Sequence, residues 1–320
     1  MRNSNAKLRI AIWSVITVVL IGLLINCTSN SKFYIFDRLS NLIDFRNYGI
    51  FKHLSQGEIK EINEYTSKID DIKEIKFDLS IDTVIVSESN EKYVKIIEKS
   101  NYKLENDEKL KVSKNGNVIE ISRNEINNRK KFNNIYRTVE IYLPKDYRNN
   151  LVLNNELGDI YIESPFNLEK LEINQNTGDL NINSNIVCNE FISHMATGDI
   201  DIAHIYTTKY YIQTNVGDID IKGLNGFGDI KSNIGDIECN IDKIDGDIYI
   251  ESSTGDIDIF LNKNCNFNLN AEHNIGDFNT NCEFEYFKQN KQNIVAKVGE
   301  NTFNNINIKC NIGDLEINSK

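Results

Sequence analysis

The segment Tyr210-Tyr-Ile-Gln-Thr-Asn-Val-Gly-Asp-Ile-Asp-Ile221 carries the pattern that decides the fold, because close copies of it recur through the second half of the chain. Its Gly-Asp pair returns at intervals of 18 to 21 residues, followed by one interval of 37 residues. The glycines of this series are Gly158, Gly178, Gly198, Gly217, Gly235, Gly255, Gly276 and Gly313. Extra pairs begin at Gly228 and Gly246. Self-similarity at a fixed period of about 20 residues is typical of a stacked repeat array.

Apolar and polar residues alternate on both sides of each glycine. Ile219 and Ile221 follow the glycine by two and four residues, with Asp220 between them, and a second alternating run precedes it. Two short strands of period two per repeat predict an all-β fold, a parallel β-solenoid of about eight two-strand coils. We expect Ile219 to face the core and Asp220 the solvent. Residues 277–312 could form either an extra coil or a loop.

The recurrent Gly-Asp pair has a structural and a functional interpretation. A corner with a positive φ or a close backbone approach requires Gly, since a Cβ would block it. The Asp could cap its own turn by accepting backbone N–H groups, or stacked carboxylates could bind Ca²⁺. Capping is favoured, because the period differs from that of calcium-binding nonapeptide repeats. The calcium candidates are Asp199, Asp218, Asp236 and Asp256. The Asn residues that recur two positions before the Gly predict a turn-side amide ladder rather than a binding site.

Two segments separate the N-terminus from the repeats in residues 148–320. Residues 73–147 contain β-branched runs broken by polar turns such as Asn115-Gly116-Asn117, which predicts a small antiparallel β module. In residues 32–72 apolar residues, among them Ile62 and Tyr65, recur at helical spacings. That spacing predicts a juxtamembrane helical spacer.

Residues 1–31 have the pattern of a membrane anchor. Basic residues at positions 2, 7 and 9 precede an uncharged stretch from Ile10 to Ser31, which as a helix would be roughly 33 Å long, enough for one transmembrane helix. The basic flank predicts a single-pass cell-membrane protein whose C-terminal domain is extracytoplasmic. Three versions remain open: a retained helix, a lipoprotein signal with lipidation at Cys27, and a fully cleaved signal.

Composition disfavours several functional classes. The chain has 47 Asp and Glu against 36 Lys and Arg, a net charge of -11, so nucleic acid is not an expected partner. It lacks the common sequence signatures of nucleotide, zinc and hydrolase sites, and its six Cys and four His show no metal-ligand spacing. We therefore predict no catalytic residues, no enzymatic activity and no cofactor.

Three features together carry a family likeness: the strand Ile75-Lys-Phe-Asp-Leu79, the strand Thr138-Val-Glu-Ile-Tyr-Leu-Pro144, and the train of Gly-Asp-Ile-x-Ile repeats. They resemble the "putative adhesin" β-strand-repeat domain found on cell-envelope proteins of Gram-positive bacteria. The resemblance covers about residues 73–320. It implies an extracellular β-solenoid, commonly membrane-tethered and linked in some members to envelope stress responses, without catalytic residues.

Three functions are compatible with the sequence. An envelope binding, adhesion-like or stress-response module is favoured, because a tethered repeat array presents the same outward positions many times. Its expected partners are the membrane, through the N-terminus, and an envelope component. The first alternative is a structural stalk or filament with end-to-end self-association through open coil edges. The second is a β-helical polysaccharide-degrading enzyme, which is disfavoured because the outward acids have no evident basic partners.

Overall fold

The computed structural model describes residues 59–123, 136–300 and 302–320. This part of the chain is all β, as predicted, and contains no helix that could cross a membrane. The anchor predicted for residues 1–31, including Cys27, lies outside the described residues, as does the predicted spacer up to residue 58.

Twenty-one strands are present within the described ranges. The first seven are β1 (Glu61–Lys68), β2 (Glu74–Ile81), β3 (Thr83–Ser89), β4 (Tyr93–Ser100), β5 (Lys111–Asn115), β6 (Val118–Ser122) and β7 (Arg137–Pro144). The next eight are β8 (Asn150–Leu157), β9 (Ile160–Ile162), β10 (Phe166–Thr177), β11 (Leu180–Thr197), β12 (Ile200–Val216), β13 (Ile219–Ile234), β14 (Ile237–Thr254) and β15 (Ile257–Leu261). The last six are β16 (Phe267–Ile275), β17 (Phe278–Thr280), β18 (Tyr286–Gln289), β19 (Asn293–Val298), β20 (Asn305–Ile312) and β21 (Leu315–Ser319).

The strands wind into a parallel solenoid with two principal sides. Side 1 is formed by the strand segments that precede each Gly-Asp corner, in the order β6-β2-β8-β10-β11-β12-β13-β14-β20-β16. Side 2 is formed by the segments that follow the corner, in the order β7-β3-β9-β11-β12-β13-β14-β15-β21-β17. The long strands β11 to β14 bend around corners and therefore contribute to both sides.

In-register stacking places the core. Ile219 pairs with Ile200 on one side and Ile237 on the other, and all three are buried, whereas Asp220 faces outward. The predicted orientation is therefore confirmed. The middle coils also contain a third strand segment, for example Ile186–Cys188 beside Ile205–Thr207. The prediction of two strands per coil was wrong for these coils, because the polar residues that follow the second strand still pair across coils.

The antiparallel module predicted for residues 73–147 is only partly antiparallel. Strand β2 pairs in parallel with β6 and β8, and β3 pairs in parallel with β7 and β9, so these strands belong to the solenoid. The antiparallel pairs at this end of the described chain are β1–β4, β4–β7 and β5–β6, so β6 and β7 each have one parallel and one antiparallel neighbour. An alternating pattern identifies a strand but not the direction of its spatial neighbour, which explains the difference.

Residues 61–68 of the predicted helical spacer form strand β1, antiparallel to β4. The helical interpretation failed because the positions of β1 that face the protein are polar. Asn63 and Tyr65 donate hydrogen bonds to Glu98, whereas Ile62 is exposed. Here tertiary pairing, not the spacing of apolar residues, determines the conformation.

Residues 277–312 contain both a loop excursion and part of a coil. After β17 the chain forms the antiparallel hairpin β18–β19, with β19 along β16. It then returns so that β20 inserts between β14 and β16. The same reversal occurs at the other end, where β2 lies between β6 and β8 although β6 follows it in sequence. Within the described residues, antiparallel strands therefore flank both sides of the stack at its N-terminal end and side 1 at its C-terminal end.

Candidate functional surface

The Gly-Asp corners stack directly on one another. All eight corner glycines have φ between 118° and 155°. A Cβ at any of them would lie 1.8 to 2.4 Å from a backbone oxygen of the adjacent coil. At Gly217, for example, the Cβ would meet the Gly198 carbonyl oxygen at 2.0 Å. Both predicted reasons for Gly, the unusual φ and the close backbone approach, apply here.

The corner aspartates form a ladder that connects coils. The Oδ1 atom of each except the last, Asp277, accepts a hydrogen bond from the backbone N–H of the next aspartate, at 2.7 to 3.0 Å. In spatial order the ladder runs Asp159, Asp179, Asp199, Asp218, Asp236, Asp256, Asp314 and Asp277. We predicted that each Asp accepts a hydrogen bond from an N–H of its own turn. That prediction was wrong about the donor, because the donor is the N–H of the Asp in the neighbouring coil.

The four calcium candidates, Asp199, Asp218, Asp236 and Asp256, are consecutive members of this ladder. One oxygen of each is already engaged with a backbone N–H. Among the described residues, no group of three or more His, Cys, Asp and Glu side chains is arranged to hold a metal ion. The hydrogen-bond ladder by itself accounts for a recurrent Asp at this position.

A second acidic row runs beside the ladder on side 2. Its members lie on adjacent strands and are Asp201, Asp220, Glu238, Asp258 and Glu316. Partial burial, followed by the charges of Glu316, Asp256, Glu238 and Asp236, raises the pKa of Asp258 to about 6. Burial also raises the pKa values of Asp179 and Asp199, with neighbouring ladder carboxylates adding to the effect. Side 2 is therefore strongly acidic, and its carboxylates repel one another.

A buried polar column lies beneath the corners, which the sequence reasoning missed. The side chains three residues before each Gly point inward and several donate to the corner carbonyl of an adjacent coil. Thr214 donates to Gly198 O at 3.3 Å and Ser232 to Gly217 O at 3.1 Å. Small polar residues repeated at an inward position were the available signal. These bonds satisfy carbonyls that would otherwise be buried without partners.

The outer surface of side 1 is rich in amides. Asn174 donates to Asn154 at 2.8 Å and Asn233 donates to Asn215 at 3.1 Å, so amide side chains form ladders from coil to coil. The expectation of a turn-side amide ladder is met at the second pair. A shallow groove of about 560 Å³, here called the amide groove, runs across these coils. Its lining includes Asn154, Asn174, Asn176, His194, Gln213 and Asn215.

Tyr211 lies beside the amide groove and lines a separate pocket of about 240 Å³ that shares His194 with it. Tyr211 donates its hydroxyl proton to Gln213 at 2.7 Å, and its ring centroid lies 4.9 Å from that of His194. Lys231 Nζ lies 5.9 Å from the same ring centroid on the next coil. These contacts hold the Tyr211 ring at the surface, where an aromatic face can stack against a ligand and the amides can donate and accept hydrogen bonds.

A buried charged cluster occupies the N-terminal end of the coil stack. Arg123 contacts Asp82 at 2.9 Å and Glu98 at 2.5 Å, and Arg137 approaches Asp82 at 3.4 Å. All four side chains are fully buried. Asp82 occupies the corner position that Gly-Asp fills in later coils, since Gly158 stacks on its carbonyl. Sequence reasoning missed the cluster, although arginines within strand-like runs were a possible signal.

The cysteines in the described ranges form no disulfide. Cys188, Cys239, Cys265 and Cys310 are buried, and Cys282 is half-buried. Cys239 lies in an inward column, where burial raises its pKa, and burial raises the pKa of Cys188 to about 11. High thiol pKa values disfavour nucleophilic chemistry.

The chain was compared with protein families, curated proteins and solved structures. Residues 72–318 match the family Toastrack DUF4097, and no curated protein matches the chain. A crystal structure of a "putative adhesin" from Parabacteroides distasonis is 13% identical, covers 82% of this chain and 98% of its own, and has a TM-score of 0.51. A "putative cell adhesion protein" from Clostridium sporogenes is 18% identical over 82% and 100%, with a TM-score of 0.29. A "putative lipid binding protein" from Parabacteroides distasonis is 16% identical over 80% and 96%, with a TM-score of 0.44.

Proposed function

This chain belongs to the Toastrack DUF4097 family, and from that premise we propose that it is a membrane-anchored, extracytoplasmic binding module of the cell envelope. The anchor is the N-terminal apolar segment, and the coil stack lies outside the cytoplasmic membrane. The stack binds an envelope component, in an adhesion-like or stress-sensing role. It is neither an enzyme nor a nucleic-acid-binding protein.

The amide groove is the observation that carries the proposal. Its lining carries amide side chains on successive coils together with the carboxylates of Asp78 and Glu156. The ring of Tyr211 lies beside the groove, where it contacts the lining residues Gln213 and His194. Such groups bind polar ligands through hydrogen bonds and stacking without needing a reactive centre. The rigid stacking of the coils preorganises these groups, which lowers the entropic cost of binding.

We propose that the chain has no enzymatic activity because its acidic side chains are not arranged as a catalytic acid and base. The ladder carboxylates accept backbone N–H bonds, and the row that contains Asp258 faces other carboxylates. Hydrolysis of a glycosidic bond needs an acid and a base placed on either side of the scissile bond. Release of new reducing or unsaturated ends from envelope glycans would contradict this part of the proposal.

Binding is tested with the full chain in detergent and purified envelope fragments. We expect Tyr211→Ala to reduce retention of the fragments at least several-fold, because it removes the stacking surface beside the groove. Asp220→Asn is the matched control, since Asp220 is an outward residue on side 2. Equal retention by both variants and the parent chain would exclude the amide groove and favour a structural stalk.

Membrane topology is tested in intact cells that express an N-terminally tagged chain. External protease should remove the coil stack and spare the tag. Cys27→Ala then separates the two anchors, because loss of lipid labelling and of membrane retention identifies a lipoprotein. A protected coil stack would contradict the extracytoplasmic placement.

A further inference from the structure

A stripe of exposed side chains follows the corner of the solenoid, one residue before each corner glycine. In spatial order it comprises Leu157, Thr177, Thr197, Val216, Ile234, Thr254, Ile312 and Ile275, here called the ridge. Its five aliphatic members are 42% to 62% exposed. The positions on either side of the ridge are mostly polar, so the exposed aliphatic residues form a separate column on the surface.

Stacking within the ridge leaves much of this apolar area uncovered. Val216 and Ile234 pair on neighbouring strands, yet they remain 44% and 48% exposed. Three threonines interrupt the aliphatic residues of the ridge, but Val216 beside Ile234 and Ile312 beside Ile275 form two exposed apolar patches on adjacent coils. Single exposed aliphatic residues are common, whereas clustered ones usually mark an interaction site. The described residues of the chain provide no segment that covers the ridge.

We propose that the ridge is a lateral interface between two copies of this chain, packed side by side with their coil stacks parallel. The two-fold axis of the pair runs along the stacking direction. Each aliphatic side chain then meets its own counterpart in the other copy. The interface is isologous, as in most homodimers.

The polar columns beside the ridge determine the parallel orientation. One flank carries amides such as Asn215 and Asn233, and the other carries ladder carboxylates such as Asp218 and Asp236. A two-fold axis along the stack brings the amide flank of one copy opposite the carboxylate flank of the other. An antiparallel pair would instead oppose carboxylates with carboxylates, which costs free energy. In the parallel pair the amide N–H groups can donate further hydrogen bonds to the ladder carboxylates.

The size of the ridge predicts a weak association in solution. Eight strands spaced about 4.8 Å apart give a length of about 38 Å, and three columns of side chains at about 3.3 Å per residue span about 10 Å, which makes a strip of about 400 Å² on each copy. That area is below the roughly 800 Å² per partner of a standard interface. Confinement to one membrane, which rests on the function proposed above, raises the effective concentration and gives both copies the same direction.

The interface is tested by cysteine cross-linking of the full chain in intact cells. Leu157→Cys and Ile312→Cys lie toward opposite ends of the ridge. In a parallel pair each variant should form a disulfide-linked dimer with itself, because the two Cβ atoms meet across the axis. Tyr249→Cys is the control, since Tyr249 is similarly exposed at 47% but lies on the outer surface of side 1. The unsubstituted chain measures any background from native cysteines.

A second substitution tests the same interface by a different effect. Val216→Lys places a charge in the centre of the ridge and should reduce the Leu157→Cys dimer at least fivefold, while circular dichroism and melting temperature of the purified chain stay unchanged. Dimers that form only when the Leu157→Cys and Ile312→Cys chains are co-expressed would show an antiparallel pair and overturn the proposed orientation. Absence of dimers, or cross-linking to a different protein, would overturn the self-interface. Cell fractionation measures membrane attachment independently of cross-linking. A failure of the proposed membrane anchor can therefore be distinguished from a failure of the proposed self-interface.

Discussion

Substitution of Gly217 by Ala tests whether close packing of the corners stabilises the coil stack. The new Cβ would lie 2.0 Å from the Gly198 carbonyl oxygen, and the backbone φ of 144° is unfavourable for any residue with a side chain. Strained backbone conformations cost about 1 to 3 kcal/mol, and overpacking adds about 1 to 3 kcal/mol. We therefore expect a loss of about 2 to 6 kcal/mol, a large part of a typical stability of about 5 to 15 kcal/mol.

Gly116→Ala is the matched control for this experiment. Gly116 also has a positive φ, of 61°, but a Cβ there would have nothing within 4 Å. Its cost should be limited to the backbone term, about 1 kcal/mol. The measurement is the free energy of unfolding from denaturant titration, with melting temperature as a second reading. A Gly217→Ala loss no larger than that of Gly116→Ala would refute the argument that backbone approach requires Gly at the corners.

Four further predictions concern stability and its pH dependence. Asp199→Ala should destabilise the chain by about 1 kcal/mol, as measured by denaturant titration, because the N–H of Asp218 loses its acceptor, whereas Asp199→Asn should be close to neutral. The raised pKa of Asp258 means that the folded state binds more protons than the unfolded state between about pH 4 and 6, so the melting temperature should rise as pH falls through this range, and Asp258→Asn should flatten that rise. Tyr210→Phe should leave stability unchanged or raise it by about 1 kcal/mol, since the buried hydroxyl has no hydrogen-bond partner among the described residues; a loss above 1 kcal/mol in the same titration would contradict this. Arg123→Met should cost about 3 to 5 kcal/mol, because it removes the buried cation that contacts Glu98 and leaves Asp82 with Arg137 alone, and a melting temperature equal to that of the parent would contradict it.

The groove and the charged cluster show where sequence reasoning reached its limit. The Asn positions two residues before the glycines predicted an amide ladder, and the bond between Asn233 and Asn215 is present. The sequence did not predict that the ring of Tyr211 belongs to a binding surface. The position of the ring depends on contacts with His194 and Lys231, which come from neighbouring coils. Likewise, Arg123 and Glu98 meet only after strands distant in sequence have paired.

The repeat by itself determined the all-β class, the inward column that contains Ile219, and the need for Gly at each corner, because all three depend on alternation or on local backbone geometry. Tertiary structure alone decided the order of the coils at both ends, where β2 and β20 insert between strands that are not their sequence neighbours. It also decided that each corner Asp bonds to the next coil and that β1 is a strand. The physical reason is that periodicity specifies which side of a strand is buried, whereas the partner of a strand is chosen by long-range hydrogen bonding and packing, which leave little local signal in the chain.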